Sequence, residues 1–343
     1  MRKRFIAVDL FSGCGGLTLG LTKAGFKVRA AVEIDPAASS VFRLNHRRVK
    51  MFTDIRKVKG RDILKKLCIN KGGVDLLAGC PPCQGFSRLR TKNKNKRAFD
   101  SRNRLIVDFL RLVEETKPKT VMLENVPGLL RHWRFNVFKK SLKELGYKLD
   151  YKIVNASDYG VPQRRKRLLL MASLLGPVDI PNVVYQRKTV ADAIRELPVP
   201  SKSRKPLHKL LPKHSKEVTQ RIAKVPKNGG SRIDLGLENQ LACHTKDQFN
   251  GFKDIYGRMK WDDVAPTLTR FCSNPSKGRF LHPKQNRVIS PYEAALLQSF
   301  PKSYNFPTEL GRNAICSMIG EAFPPLMAQR QAKYFYQHIK NHE

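Results

Sequence analysis

The sequence predicts an α/β fold, with a mostly parallel sheet that presents ligand-binding loops at its carboxyl edge. A smaller domain of irregular and short β structure is expected beside it. Three observations carry this expectation. Short apolar runs alternate with helical patterns from Phe5 to Ala172. The first run ends in a glycine-rich turn, Phe11-Ser12-Gly13-Cys14-Gly15-Gly16. The alternation then stops near Val183, and proline, lysine and glycine dominate to about Arg287. A chain of 343 residues fits about two domains on length alone.

Phe5 to Leu10 reads as the first strand, and Leu17 to Ala24 as a helix closed by Gly25. Between them the glycine turn permits close backbone approach to a ligand, or simply makes a tight corner. It is not the dinucleotide fingerprint, because Thr18 stands where a third glycine belongs. Lys27 to Glu33 is a second strand ending in Glu33-Ile34-Asp35-Pro36. Glu33 falls at about the spacing where an acid meets a ribose hydroxyl in such folds. A helix follows from Pro36 to Asn45, then an extended Lys50 to Thr53 leading to Asp54-Ile55. Asp54 can accept from an adenine amino group while Ile55 packs on the ring. Each acid alone is equally a cap or a solvated loop residue, and their shared placement after successive strands is what points to a nucleoside.

Val74 to Ala78 reads as a buried strand, and Gly79-Cys80-Pro81-Pro82-Cys83-Gln84 follows it. Two prolines fix two φ angles and remove two donors, so the ladder must stop there. A thiol is thereby held on a stiff turn where open α/β sheets place their ligand crevice. On the local pattern three roles compete for it: a C-x-x-C redox pair, half of a zinc site, or a nucleophile at Cys83 alone. An inert turn cysteine is the bland alternative. The remaining five cysteines supply no second C-x-x-C.

From Arg88 to Arg104 the chain carries eight basic residues and one acid, Asp100, as a long loop suited to closing over a ligand. Arg102 to Thr116 reads as a helix with a broad apolar stripe, and Lys119 to Leu123 as the next strand. That strand delivers Glu124 to the edge that holds Cys83, where a carboxyl group suits general acid catalysis. A helix near Asn136 to Leu145 and strands at Lys148 to Asn155 and Lys166 to Ala172 complete the alternation. Arg165 and Arg167, two positions apart at a strand start, share a face and suit a phosphate or a pyrimidine carbonyl. An edge-strand charge pattern is the competing explanation. Later, Thr189 to Leu197, Ser290 to Phe300 and Pro324 to Asn341 read as helices, with Ser290 as a cap and Pro291 in the first turn.

The net charge is +38, from 66 basic and 28 acidic residues. A polyanion is the expected partner, nucleic acid ahead of membrane, because no amphipathic anchor stands out. The basic start Met1-Arg-Lys-Arg is followed by an apolar run that stops at Asp9, too short for a signal segment, and no stretch can span a bilayer. Seven cysteines without a secretion signal suggest reduced thiols, hence the cytoplasm.

These residues resemble one family in order along nearly the whole chain: the cytosine-C5 DNA methyltransferases of bacterial type. Asp9 to Gly16 resembles the first cofactor motif, and Glu33 and Asp54 fall at its ribose and adenine contacts. Pro82-Cys83-Gln84 resembles the nucleophile motif, Glu124-Asn125-Val126 the acid motif, and Gln163-x-Arg165-x-Arg167 the arginine motif. Ala265 to Arg270 resembles a segment often seen late in the recognition domain, and Asn286 to Pro301 the motif that supports that domain. The last cofactor motif departs from the family: Gly320-Glu321-Ala-Phe323-Pro-Pro has a carboxylate where an asparagine is usual, so the amide's donor is missing there. Leu296 also stands where arginine is common.

The resemblance implies a Rossmann-like S-adenosylmethionine-dependent methyltransferase domain over 1–182, a target-recognition domain over 183–287, and C-terminal helices over 288–343 returning to the catalytic domain. It implies cofactor contacts from Asp9, Phe11, Ser12, Gly13, Gly15, Gly16, Glu33, Ile34, Asp54, Ile55, Pro81, Leu105, Glu321 and Phe323, and no metal. It implies that Cys83 adds to C6 of a cytosine flipped out of duplex DNA while Glu124 engages N3, with Arg165 and Arg167 holding the base carbonyl, Glu124 or a phosphate. The expected state is a monomer acting on double-stranded DNA, compatible with a cognate restriction endonuclease. A tRNA cytosine methyltransferase and a non-catalytic DNA-binding regulator of the same fold are the two rivals. The long basic recognition segment and Gly85-Phe86-Ser87 favour DNA over the first, and intact Cys83 and Glu124 favour catalysis over the second.

Overall fold

The computed structural model describes residues 5–82, 104–182, 184–240 and 254–343. Cα packing divides the chain into two compact units. The first comprises Met1–Tyr159, Lys166–Val184 and Phe323–Glu343, and the second Gly160–Arg165 with Tyr185–Ala322. The boundaries expected at 183 and 288 followed the loss of β/α alternation. Compactness instead groups 288–322 with the second unit and 323–343, which carries the last helix, with the first.

The first unit is a seven-stranded sheet: β1 (Ile6–Leu10), β2 (Lys27–Val32), β3 (Lys50–Phe52), β4 (Leu76–Gly79), β5 (Thr120–Asn125), β6 (Lys148–Asn155) and β7 (Lys166–Ser173), in the order β3-β2-β1-β4-β5-β7-β6. β1 to β5 are parallel where paired, whereas β7 runs antiparallel to both β5 and β6. The central strands β4 and β5 are buried along their whole length. That follows from helices on both faces of a parallel sheet, which call for continuous apolar runs rather than alternation.

The helices of this unit are α1 (Gly16–Ala24), α2 (Pro36–Asn45), α3 (Gly60–Leu67), α4 (Leu105–Thr116) and α5 (Trp133–Glu144). Asp35 caps α2 by accepting from Ala38 N at 2.9 Å, with Pro36 in the first turn. Gly25 ends α1 in the left-handed region at φ 112°, as its position after the apolar run predicts. α3 was not anticipated: it is short, starts on glycine, and is held by Asp62 accepting from Lys59 N. α5 starts at Trp133, a turn earlier than the apolar pattern suggests, because the His132 ring accepts from Arg134 N at 3.2 Å and caps it. Phe109, Phe135, Phe138 and Leu142 from α4 and α5 join Leu77, Val121, Leu123 and Leu170 in the main core.

The second unit holds α6 (Val190–Ile194), α7 (Pro206–Lys209), α8 (Lys216–Lys224), α9 (Pro291–Leu297) and α10 (Arg312–Glu321). Among the described residues its extended pairing consists of isolated bridges, such as Arg258 with Leu281 and Leu281 with Val288. α9 begins as the sequence predicts, with Ser290 and Glu293 forming a capping box ahead of Pro291. A small core of Ile222, Val225, Leu235, Tyr256, Leu281 and Val288 is closed over a buried arginine. The Arg258 guanidinium donates to the carbonyls of Ile222, Val225, His282 and Gln285 and to Asn286 Oδ1, at 2.6–3.0 Å. Those oxygens replace the water that a buried guanidinium loses.

The terminal helix α11 (Pro325–Asn341) belongs to the first unit and packs along α1. At Gly20 the two backbones come so close that a Cβ would lie 2.4 Å from the Ala328 Cβ. Among the described residues no helix is long and apolar enough to cross a membrane.

Candidate active site

The first-unit side chains singled out by sequence come from the carboxyl ends of β1 to β5, from the starts of α4 and β7, and from Phe323 just ahead of α11. Asp9 is fully buried on β1, and its Oδ2 accepts from Thr18 Oγ1 at 2.6 Å. Its Oδ1 is buried with no hydrogen-bond partner. Burial pushes this carboxyl up to about 7, against the opposing effect of Thr18. Thr18, the residue that breaks the dinucleotide fingerprint, is therefore a partner of the first strand's acid.

The turn after β1 is built from backbone that side chains rarely adopt, with Phe11 at φ 60°, Gly13 at 54° and Gly15 at 97°. A Cβ added at Gly13 would meet nothing within 4 Å, so the turn faces open space there. Ser12 N and Oγ both donate to Val32 O, at 3.0 and 3.4 Å, which fastens the turn to the end of β2. Glu33 is fastened in the same way, with Oε2 accepting from Gly13 N at 2.7 Å and Oε1 from Asp35 N at 2.8 Å. Burial raises the Glu33 carboxyl above its ordinary value, while these two N–H groups pull it down. Ile34 beside it is 59% exposed.

Asp54 binds its own neighbour: Arg56 donates from its backbone N, Nε and Nη2 at 2.8–3.2 Å, holding the carboxyl below the ordinary aspartate range. Ile55 is buried in the main core. Arg111 of α4, which sequence reasoning did not single out, donates to the Ile55 and Val58 carbonyls at 2.6 and 3.0 Å and so fixes this loop. Leu105, at the start of α4, is partly buried against the same core.

The proline turn is tied to the acid motif. Asn125 Nδ2 donates to Pro81 O at 3.0 Å, and Asn125 Oδ1 accepts from Val126 N at 2.9 Å. Glu124 is buried, and its Oε1 lies 2.8 Å from Arg167 Nε across the β5–β7 pair. Burial and the nearby Glu124 and Asp9 carboxylates push the Cys80 thiol well above its usual range. A redox C-x-x-C needs the opposite shift. Cys83 and the basic loop behind it lie outside the described residues, as does the helical start expected from Arg102.

The two arginines of the shared motif have different surroundings. Arg167 stands in β7 facing Glu124, whereas Arg165 precedes the strand, is 2% exposed, and donates from Nη1 to Leu268 O at 3.0 Å. Gln163 is the hub of the second unit's motifs. Its Oε1 accepts from Leu268 N at 3.0 Å, its Nε2 donates to Gln298 Oε1, and Gln298 Nε2 donates to Ala322 O at 2.6 Å. One buried amide pair thus links the segments around 163, 265–270, 286–301 and 320–322. Glu321, at the end of α10, is exposed and its Oε1 lies 3.9 Å from Arg270 Nε. Phe323 is buried.

The family model described as C-5 cytosine-specific DNA methylase matches residues 5–337. The Type II methylase M.HgiDII of Herpetosiphon aurantiacus is 35% identical over 341 residues, covering 95% of this chain and 93% of that protein. The Type II methyltransferase M1.BsuMI of Bacillus subtilis is 33% identical, covering 92% of this chain and 77% of that protein. Among solved structures, a protein described as a DNA modification methyltransferase encoded within an E. coli prophage superposes with a TM-score of 0.74 at 27% identity, covering 98% and 99% of the two chains.

Proposed function

The chain belongs to the C-5 cytosine-specific DNA methylase family, and on that premise we propose that it methylates C5 of a cytosine extruded from duplex DNA, through a covalent bond between Cys83 and C6. S-adenosylmethionine is the proposed methyl donor. The turn after β1 fits such a group: it has an open face at Gly13, a buried orphan oxygen on Asp9, a Glu33 fixed by two N–H groups, and an exposed apolar Ile34 beside it. Phe11, Ser12, Gly15, Gly16, Asp54, Ile55, Pro81, Leu105, Glu321 and Phe323 complete the proposed cofactor set. Ile55 and Asp54 would act there through the loop they shape, since one is in the core and the other pairs with Arg56.

The observation that carries the reading is the tie between the acid motif and the proline turn. Asn125 holds Pro81 by its carbonyl while Arg167 holds Glu124, so the residues flanking the proposed nucleophile and acid form one bonded unit. Cytosine C5 is a weak nucleophile until its ring is activated. The Cys83 thiolate adds to C6, and Glu124 hydrogen-bonds and protonates N3, leaving electron density at C5. The donor, when bound, supplies an electrophilic methyl group to that carbon. Loss of the C5 proton to a water-derived base, with the N3 proton returning to Glu124, then expels the Cys83 thiolate and restores the ring. Arg167 keeps the carboxyl turned toward the base, and Arg165 is assigned the base carbonyl. Residues of 183–287 are assigned the reading of the duplex, which must present its base outside the stack. The Type II names of both relatives support a place in a restriction–modification system.

Cys83→Ala tests the assignment. It should abolish methyl transfer and covalent trapping on DNA containing 5-fluorocytosine, while duplex binding persists. Unchanged transfer would refute the nucleophile, and methyl incorporation into tRNA alone would refute the DNA substrate.

A further inference from the structure

Directly after the acid motif, the chain carries a surface that the reaction does not use. From Val126 to Lys143 there are five lysines and arginines and no acid. Trp133 opens α5 and is 60% exposed, an unusual state for so large an apolar ring. It is held in place. The His132 ring stacks on it at 5.8 Å with a 27° interplanar angle, and the Arg134 guanidinium sits 4.6 Å from its centroid. His132 is itself fixed by accepting from Arg134 N.

The exposed apolar surface extends beyond Trp133. Val137, one helical turn on, is 46% exposed. Tyr151 and Ile153 on the edge strand β6 are 37% and 47% exposed and share a face by their spacing. Tyr151 meets Phe135 of α5 edge-on at 5.6 Å, with Lys139 Nζ 4.3 Å from its ring, on the side of the helix away from Trp133 and Val137. The start of α5 is itself tied to the carboxyl edge of the sheet, because β5 ends at Asn125 and the single turn Pro127–Arg131 leads straight into Trp133.

An apolar strip alone would suit many partners. Here it is interleaved with cations, carries no acid before Glu144 at the far end of α5, and follows Glu124 by a few residues in a chain of net charge +38. Fixed aromatic rings beside guanidinium groups fit sugars and bases while the cations meet phosphates. We propose that the start of α5, centred on Trp133 with Arg131 and Arg134, is a second DNA contact, taking the flank of the duplex beside the target base. The proposal rests on the DNA-substrate reading above and adds a contact from the first unit.

The chain's two tryptophans, Trp133 and Trp261, make the contact visible. Subtracting the emission of Trp133→Phe from that of the wild type isolates Trp133, and the same difference follows acrylamide quenching. With a target-containing duplex bound, as shown by anisotropy of a labelled strand, the Trp133 component should be shielded from acrylamide. Arg131→Gln and Arg134→Gln should each make the slope of log affinity against log salt shallower by about one unit. An unchanged Trp133 component at saturating duplex, with anisotropy raised, overturns the contact and leaves the DNA reading intact. No anisotropy rise with any duplex overturns both. Shielding that grows with protein concentration in the absence of DNA overturns the proposal in favour of a second copy of the chain.

Discussion

Asp9→Asn removes a titratable group from a site without compensating charge and has a magnitude that can be worked out in advance. The buried carboxyl holds its proton up to about pH 7, while in the unfolded chain it releases it near 3.8. Between those values the folded state binds a proton that the unfolded state has lost, so stability falls as pH rises through that window. The separation corresponds to about 4 kcal/mol as an upper figure, fully expressed above the folded value and absent below the unfolded one. About a third of it is already present near pH 5. Asparagine keeps an oxygen for Thr18 Oγ1, now 2.6 Å from the carboxylate, and cannot ionise. Relative to wild type, the variant should therefore gain about 2–3 kcal/mol on going from roughly pH 5 to roughly pH 8. Urea unfolding of both proteins at the two pH values, without cofactor, measures this gain, and any constant cost of the substitution cancels. A difference between the proteins that does not change with pH would refute the assignment of a buried, ionisable carboxyl.

Two further substitutions separate positioning from folding. Asn125→Ala cuts the bond to Pro81 O and frees Val126 N; single-turnover rates should fall by about tenfold or more, with a stability loss of only about 1–2 kcal/mol and unchanged duplex affinity. Equal losses in rate and affinity would argue against a positioning role. Arg258→Lys replaces a guanidinium with five oxygen partners by an ammonium with three donors, and should destabilise the second unit by about 2–4 kcal/mol, read by urea unfolding. A neutral result would show that water can take the place of those bonds.

Much of the first unit was legible because its signals are local. The strands at Ile6–Leu10 and Lys148–Asn155 and the helix Pro36–Asn45 announce themselves through apolar runs, Pro36 and the Asp35 cap. The glycine turn and Glu33 could be placed from strand ends alone. What sequence reasoning missed depends on partners distant in the chain. Arg111 serves carbonyls more than fifty positions earlier. Arg258 reads as one more surface cation in a basic segment, although it is fully buried. Cys80 read as half of a C-x-x-C, yet it stands beside Glu124, a neighbour that the pairing of β4 with β5 supplies. Asp54 and Arg56 show the reverse: both were visible, but the short-range pair between them was not part of the expectation.

The close packing of α1 and α11 has a consequence for how such a chain can be rearranged. The first unit is assembled from three separate stretches, and its last helix is made only after the whole second unit. A ribosome therefore releases the glycine turn and α1 long before Ala328 arrives to lie against Gly20. Exchanging the second unit between relatives of this chain consequently needs four joints, near 184 and 322 and on either side of 160–165. The six residues 160–165, which carry Gln163 and Arg165, should travel with the graft, because their amide and guanidinium partners are in the second unit.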